Sequence, residues 1–288
     1  MQPLVALRHG RHQHRNLASD AAGQHLTERA ITVVTRPYTD AVATNEELVH
    51  RFYPESNFGG FSHIDGTVVF FTQIAAVLRP TDHVLDFGAG RGEPIVDDRV
   101  PYRRYLSNMQ GRCAHLEGCD IDEVVLENPY LDHAEVIHPD SPLPYSDNQF
   151  DLVVARWVFE HVANSNHVAH ELLRVVKPGG WIAAFTPNKF GYIALAARLI
   201  PNRRHVISLK KVQPGRKPQD VFPTHYRMNT RAALRKAFGD DVEILITGWA
   251  SEPSYHFGRP YIFRPLKWAN KHLPSALQPT LFIYIRKP

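Results

Sequence analysis

The stretch His83-Val84-Leu85-Asp86-Phe87-Gly88-Ala89-Gly90-Arg91-Gly92 decides how the rest of the chain is read. Its first half is a short apolar strand, and glycines at alternate positions follow at once. Glycine allows a tight turn and lets a ligand approach the backbone without a side chain in the way. A dinucleotide fingerprint, GxGxxG, would need its third glycine where Glu93 stands; the spacing here is GxGxG. The carboxylate of Asp86 adds a second constraint. Beside a pyrophosphate it would cost Coulomb energy, whereas beside an ammonium and a sulfonium it gains it. The loop therefore suits a cationic nucleoside ligand better than a dinucleotide.

Working outward, short apolar runs at 116–120, 134–138, 150–155, 181–185, 242–248 and 281–285 read as further strands. Helical spacing occupies 68–78, 168–176 and 231–238, with Lys177-Pro178-Gly179-Gly180 as a helix stop and Asn229 or Thr230 as a helix cap. Such alternation predicts an α/β fold, a parallel sheet covered on both faces. Residues 1–45 lack periodicity and read as a flexible leader, with at most a short helix around 26–35; residues 46–288 read as one domain. Residues 93–113 lengthen the link between the first two strands. Two further stretches, 186–230 and 250–280, read as insertions on the acceptor side of the sheet. In an open parallel sheet, ligands bind beyond the carboxyl ends of the strands, so the first insertion should roof the pocket. Phe58-Gly59-Gly60-Phe61 reads as a lid that excludes water.

Composition bounds the function. The chain has 288 residues, 43% hydrophobic and 22% charged, with a net charge of +4, which is ordinary globular usage and excludes wholesale disorder or a rod. No apolar run reaches the roughly 20 residues that span a bilayer, and the first residues lack the apolar core of a signal peptide. The expected location is cytoplasmic, at most on a membrane surface. The densest basic stretch, 198–217, carries eight basic residues counting His205 and no acid. It reads as a solvated loop, with an anionic substrate or a membrane surface as alternatives. A nucleic-acid partner is not expected, because such binders concentrate more charge. Cys113 and Cys119 are too few for zinc and are not spaced as CxxC, and the histidines are scattered without HExxH, so no metal is expected.

The second strand ends in Asp120-Ile121-Asp122. An acid at such a strand end can accept hydrogen bonds from both ribose hydroxyls, an apolar neighbour can cover an adenine face, and Asp122 can cap the following helix. With these residues in place, residues 84–92 resemble the first motif of the class I S-adenosylmethionine-dependent methyltransferases, and Gly118-Cys119-Asp120-Ile121-Asp122 resembles their second. Residues 140–151 resemble the entry to the fourth strand in the small-molecule, type 11-like branch. Residues 174–180 resemble the run before the fifth strand, and residues 281–288 the closing strand.

The resemblance implies a Rossmann-like, seven-stranded, mostly parallel sheet with helices on both faces and an inserted acceptor-side cap. It implies S-adenosyl-L-methionine as cofactor, with the methionine part at Asp86, Gly88, Ala89 and Gly90, the ribose at Asp120 beside Ile121, and the adenine amino group at Asp140 and Ser141. Arg156 and Trp157 would line the floor near the methyl group.

For the acceptor, an oxygen nucleophile needs a base. His161 is the first candidate, since an imidazole titrates near neutrality; the alternative is a histidine that orients a loop or the cofactor. His225 is the reserve. Tyr226 and Arg227 are candidate acceptor contacts. The expected activity is O-methylation of a small molecule or a glycan. The alternatives are N- or C-methylation, a NAD-dependent oxidoreductase, or a non-catalytic cofactor-binding regulator. Oligomeric state is left open.

Overall fold

The computed structural model describes residues 43–199 and 222–288; the short helix expected around 26–35, nearly all of the expected leader, and the basic stretch beyond residue 199 lie outside them. The folded unit starts earlier than residue 46. Ala43 donates its N–H to the Gly258 carbonyl, and Thr44 caps α1 (Asn45–Phe52) through a reciprocal pair with Glu47. This box satisfies two backbone or side-chain donors at the helix start. The short α2 (Ser56–Gly59) and α3 (Gly66–Val77) follow, α3 being capped by Asp65, which accepts from the Val68 N–H at 3.0 Å.

The strands are β1 (His83–Phe87), β2 (His115–Asp120), β3 (His133–Val136), β4 (Phe150–Arg156), β5 (Val176–Pro187), β6 (Glu243–Trp249) and β7 (Thr280–Arg286). They form one sheet in the order β3-β2-β1-β4-β5-β7-β6. Only β7 runs against its neighbours. The seven strands expected are all present, within a residue or two of their expected ends except at β5. That strand begins at Val176 and includes the run Lys177–Gly180 that reads as a helix stop. A register shift against β4, from Phe150↔Val176 to Leu152↔Trp181, takes up the extra residues.

Two short helices, α4 (Glu93–Val96) and α5 (Pro101–Ser107), fill the long link after β1. Then come α6 (Ser165–Val175), α7 (Tyr192–Leu199), α8 (Arg231–Phe238) and α9 (Pro260–His272). Side chains alternate between the two faces of each strand, so Leu85, Val153 and Ala155 face one core while Val84, Leu152 and Val154 face the other. The first core is closed by Leu172 and Val175 of α6 and by Leu234 and Phe238 of α8. The second is closed by Phe70, Phe71 and Ile74 of α3 and Leu106 of α5. A third, smaller cluster sets Phe263 of α9 against Leu48 and Tyr53, with Phe52 stacked on Phe263 at 4.7 Å. Helices on both faces leave the carboxyl ends of β1, β2 and β4 open at one edge.

Candidate active site

The glycine turn is built against its neighbours. Gly88 and Ala89 donate to the Cys119 carbonyl at 2.8 and 3.1 Å, and Gly90 donates to Asp120 Oδ2 at 2.9 Å. Gly88 has φ +78°, and a Cβ there would run into Val158; both facts require glycine. Asp120 Oδ1 accepts from the Asp122 N–H, and Asp122 in turn caps the following turn at Val124. Asn128 donates to the carbonyls of Ala89 and Gly90. It carries no motif, and only its distance from the loop in sequence hid it.

Asp86 and Arg156 lie on the second-core side of the sheet, close enough for each to feel the other's charge. Burial pushes the Asp86 carboxyl up to about 7, against the pull of Arg156 and with a further push from Asp120. The Arg156 guanidinium is held low chiefly by its own burial, against the pull of Glu93, Asp98, Asp86 and Asp65. Its nearest carboxylate contact is Glu93, at 3.8 Å. Its Nε is buried and hydrogen-bonds to no described residue.

A cleft of about 1510 Å³ opens over these groups. Asp86, Gly88, Ala89, Gly90, Asp120, Ile121, Asp140, Ser141, Arg156, Trp157, His161, His225 and Tyr226 all line it, so the structure brings together every expected site residue but one. Arg227 lies on a neighbouring hollow with Lys236 and Thr230. Tyr226 has φ +53°, a left-handed turn that directs successive side chains apart, and only Tyr226 of the pair lines the cleft. None of residues 58–61 lines the cleft; Phe58 stands wholly in solvent on α2. Tyr255 lies in the expected 250–280 insertion. It lines the cleft with φ +61°, as Trp157 does with φ +59°. Bulky residues in this region are strained, and strain of this kind gathers at ligand sites.

The far end of the cleft is organised around Glu160 and His161. The Glu160 carbonyl accepts from the N–H groups of His225 (2.7 Å) and Tyr226 (3.1 Å), which fixes the returning chain. The buried Glu160 carboxylate accepts from Thr186 Oγ1 at 3.0 Å, and Asn229 donates to that hydroxyl. His161 Nδ1 lies 2.8 Å from the Pro223 carbonyl. A carbonyl can only accept, so Nδ1 carries a proton and donates it in this bond. That Nε2 is 3.9 Å from Glu160 Oε1. Along the same wall, Asn164 donates to Asp140 Oδ1 at 3.4 Å, and His167 Nε2 meets the Ser141 carbonyl at 3.0 Å. Among the described residues, no group of three or more His, Cys, Asp and Glu side chains is placed to hold a metal ion, and no helix is long and apolar enough to cross a membrane.

Sheet order and cleft position define the class first: a Rossmann-like α/β protein with a cleft over the glycine turn after β1. Comparison with known proteins makes the class specific. Residues 85–184 match the family model described as a methyltransferase domain. The chain is 32% identical over 183 residues to a demethylmenaquinone methyltransferase of Symbiobacterium thermophilum, covering 58% of this chain and 67% of that one. It is 29% identical over 177 residues to the 27-O-demethylrifamycin SV methyltransferase of Amycolatopsis mediterranei, covering 57% of this chain and 58% of that one. A solved S-adenosylmethionine-dependent methyltransferase from Mesorhizobium loti superposes with TM-score 0.46 and 15% identity, over 75% of this chain and 95% of that one. The chain belongs to the class I S-adenosylmethionine-dependent methyltransferases, in the type 11 branch. It is an enzyme that uses S-adenosylmethionine.

Proposed function

We propose that the chain methylates the oxygen of a hydroxyl group on a small, ring-bearing acceptor, with His161 as the base. The observation that carries this is the place of His161 on the wall of the cleft, its ring oriented by the bond from Nδ1–H to the Pro223 carbonyl.

The cleft suits the cofactor. The orphaned Arg156 Nε, in a guanidinium beside the raised Asp86 carboxyl, offers opposite charges for a carboxylate and an ammonium on one small group. In this reading Asp86 and Arg156 hold the methionine part, with Gly88, Ala89 and Gly90 lying against it. Asp120 takes the ribose hydroxyls, Ile121 covers one face of the base, and Asp140 and Ser141 take its amino group. The bound cofactor supplies an electrophilic methyl group for in-line displacement. The protein contributes position and charge. His161 removes the hydroxyl proton at Nε2 as the carbon–oxygen bond forms. Its Nδ1–H stays on the Pro223 carbonyl, and the Glu160 carboxylate, 3.9 Å from Nε2, attracts the imidazolium that results. Trp157, Tyr226, Tyr255, Phe222 and Ile193 give the acceptor end an apolar, largely aromatic lining, which favours a flat ring system. His225 is the reserve base.

The name of the rifamycin relative specifies an oxygen acceptor. A second reading, C-methylation of a quinone-like ring, draws on a relative named as a quinone-biosynthesis C-methyltransferase. The test is a panel of phenols, quinols and macrocyclic alcohols with isotopically labelled cofactor, the labelled carbon being located in the product by NMR. His161→Ala should lower kcat by about 10²–10⁴-fold with unchanged affinity for S-adenosylhomocysteine, and His161→Gln should not restore it. Loss of cofactor affinity in proportion to activity would make His161 structural. Near-normal turnover would favour the carbon acceptor.

A further inference from the structure

From residue 253 to the end at 288 the sequence contains no Asp or Glu, while Arg259, Arg264, Lys267, Lys271, Arg286 and Lys287 are all basic. Most of this charge falls on or beside α9. The inner face of α9 is occupied: Phe263 and Asn270 are buried, Phe263 lies against Phe52 and Tyr53, and Lys267 Nζ donates to the Phe52 carbonyl.

The outer face is open and ordered by helical spacing. Tyr261, Arg264, Pro265, Trp268, Lys271 and His272 are all exposed, at steps of three and four that place them on one side of the helix. On a helical projection Tyr261 and Trp268 fall at the centre of that stripe, with Arg264 and Lys271 along one flank and His272 and Pro265 along the other. The two rings are 57% and 65% exposed. Arg51 extends the basic flank, since its guanidinium and that of Arg264 lie 5.7 and 5.8 Å from the Phe52 ring centre. On the neighbouring α1, Glu47 is held by the Thr44 cap and Glu46 lies 3.6 Å from His50; Glu55 is engaged by His63 and Glu252 by Ser62.

We infer that this face of α9 docks the protein flat on an anionic lipid bilayer surface. A face that merely meets water mixes charges of both signs and buries its large rings. This one has aromatic rings where a helix lying in the headgroup layer carries them, flanked by cations that meet anionic headgroups. A second copy of the chain is a poor partner. A two-fold contact would set Arg264 and Lys271 against their own copies with no acid on the face to pair them. The segment that lines the cleft at Ser254 and Tyr255 runs straight into this face through Phe257, itself half exposed with φ +52°. Docking would therefore bring the acceptor end of the cleft close to the lipid surface.

The test uses the full chain and sedimentation with large vesicles of phosphatidylcholine alone, or with phosphatidylglycerol at roughly one lipid in three. The protein should partition onto the anionic vesicles, with partitioning that falls as salt rises. The double variant Arg264→Gln/Lys271→Gln should partition roughly thirtyfold more weakly, from about 1 kcal/mol per basic side chain. The double variant Arg79→Gln/Arg235→Gln, at exposed sites elsewhere, should match the wild type. Brominated lipid should quench the protein's tryptophan fluorescence, and Trp268→Leu should abolish most of that quenching. An unchanged titration with S-adenosylhomocysteine in every variant establishes that the fold and the cofactor site are intact, separately from docking. The inference is overturned by equal or absent binding to both vesicles. It is also overturned by binding that survives Arg264→Gln/Lys271→Gln. Self-association in the ultracentrifuge, or polynucleotide binding without vesicle binding, overturns it too if the same two substitutions reverse it.

Discussion

Asp86 is held in the folded chain with its carboxyl at about 7, because burial outweighs the pull of Arg156. The sign of the pH effect follows. Between the ordinary carboxylate value and about 7, the folded state keeps a proton that the unfolded chain has lost. Stability therefore falls as pH rises through that window. A ligand ammonium beside Asp86 reverses the balance by favouring the charged form. Binding of S-adenosylhomocysteine near pH 6 should then release a proton, visible as a binding enthalpy that varies with the ionisation heat of the buffer. Asp86→Asn should remove most of that release. It should also lessen the loss of ligand-free thermal stability between pH 5 and 7.5, while weakening ligand binding. The same proton release in the Asn variant would assign it to another group. The place of this residue on the cleft was legible in sequence because it sits inside a motif. Asn128 was not, because it acts through a contact with a loop distant along the chain, and its residue type does not mark such a contact by itself.

Elements were legible where the local code is complete. α8 occupies residues 231–238 as expected, since Thr230 accepts from the Ala233 N–H at one end and Gly239 follows at the other. α1 and α9 were missed, because what stabilises them is mutual. The Lys267–Phe52 hydrogen bond spans 215 positions of sequence, and Pro265 within α9 argues locally against a helix. α6 shows how an element holds a neighbouring loop of the site in place. Arg174 donates to the carbonyls of Leu143 and Tyr145, and Glu171 accepts from the Leu143 N–H at 2.7 Å. The pair so anchors the strand-entry loop that presents Asp140 and Ser141. Hydrogen bonds from Arg174 hold the buried Glu171 carboxyl down at about 2. A depressed acid contributes stability above its ordinary value and loses it as pH falls through about 2. Arg174→Ala should cost about 3 kcal/mol, by leaving a buried charge unpaired, and should flatten the acid limb of stability between pH 4.5 and 2. Denaturant unfolding across that range checks both, and a cost below about 0.5 kcal/mol would place the pair among ordinary surface ion pairs.

Across the whole molecule, the long link after β1 and the helices before it close one side of the cleft, and a single side chain joins them. Arg103 of α5 donates to Asp65 Oδ2 at 2.8 Å, and its Nε and Nη2 grip Asp98 at 2.7 and 2.9 Å. Asp65 is the cap of α3 and is only 4% exposed. Nearby, Ser62 donates to Glu252, a carboxyl raised by burial and by Asp65, and the Trp249 indole N–H donates to the Ile64 carbonyl. Segments from before β1, after β1 and after β6 thus converge around one partly buried arginine, whose side chain is 26% exposed. Their convergence could not be read from sequence, because residues 93–113 show no pattern that names a partner. Removing Arg103 would leave Asp65 buried without its cation, a loss in the range of about 3–5 kcal/mol for a broken buried pair. Most of that loss would come from the stranded charge rather than from the bond itself. Arg103→Ala should therefore be strongly destabilising. Adding Asp65→Asn should recover a large part of the loss, because asparagine can still cap α3 by accepting from Val68 but carries no charge. Stability of the two single variants and the double gives the coupling directly. Hydrogen exchange should show faster opening of residues 93–107 in Arg103→Ala and slower opening once the second change is added. Strict additivity of the two substitutions would mean that Asp65 and Arg103 do not act as a pair, and that the closed side of the cleft is held by the apolar contacts of α3 alone.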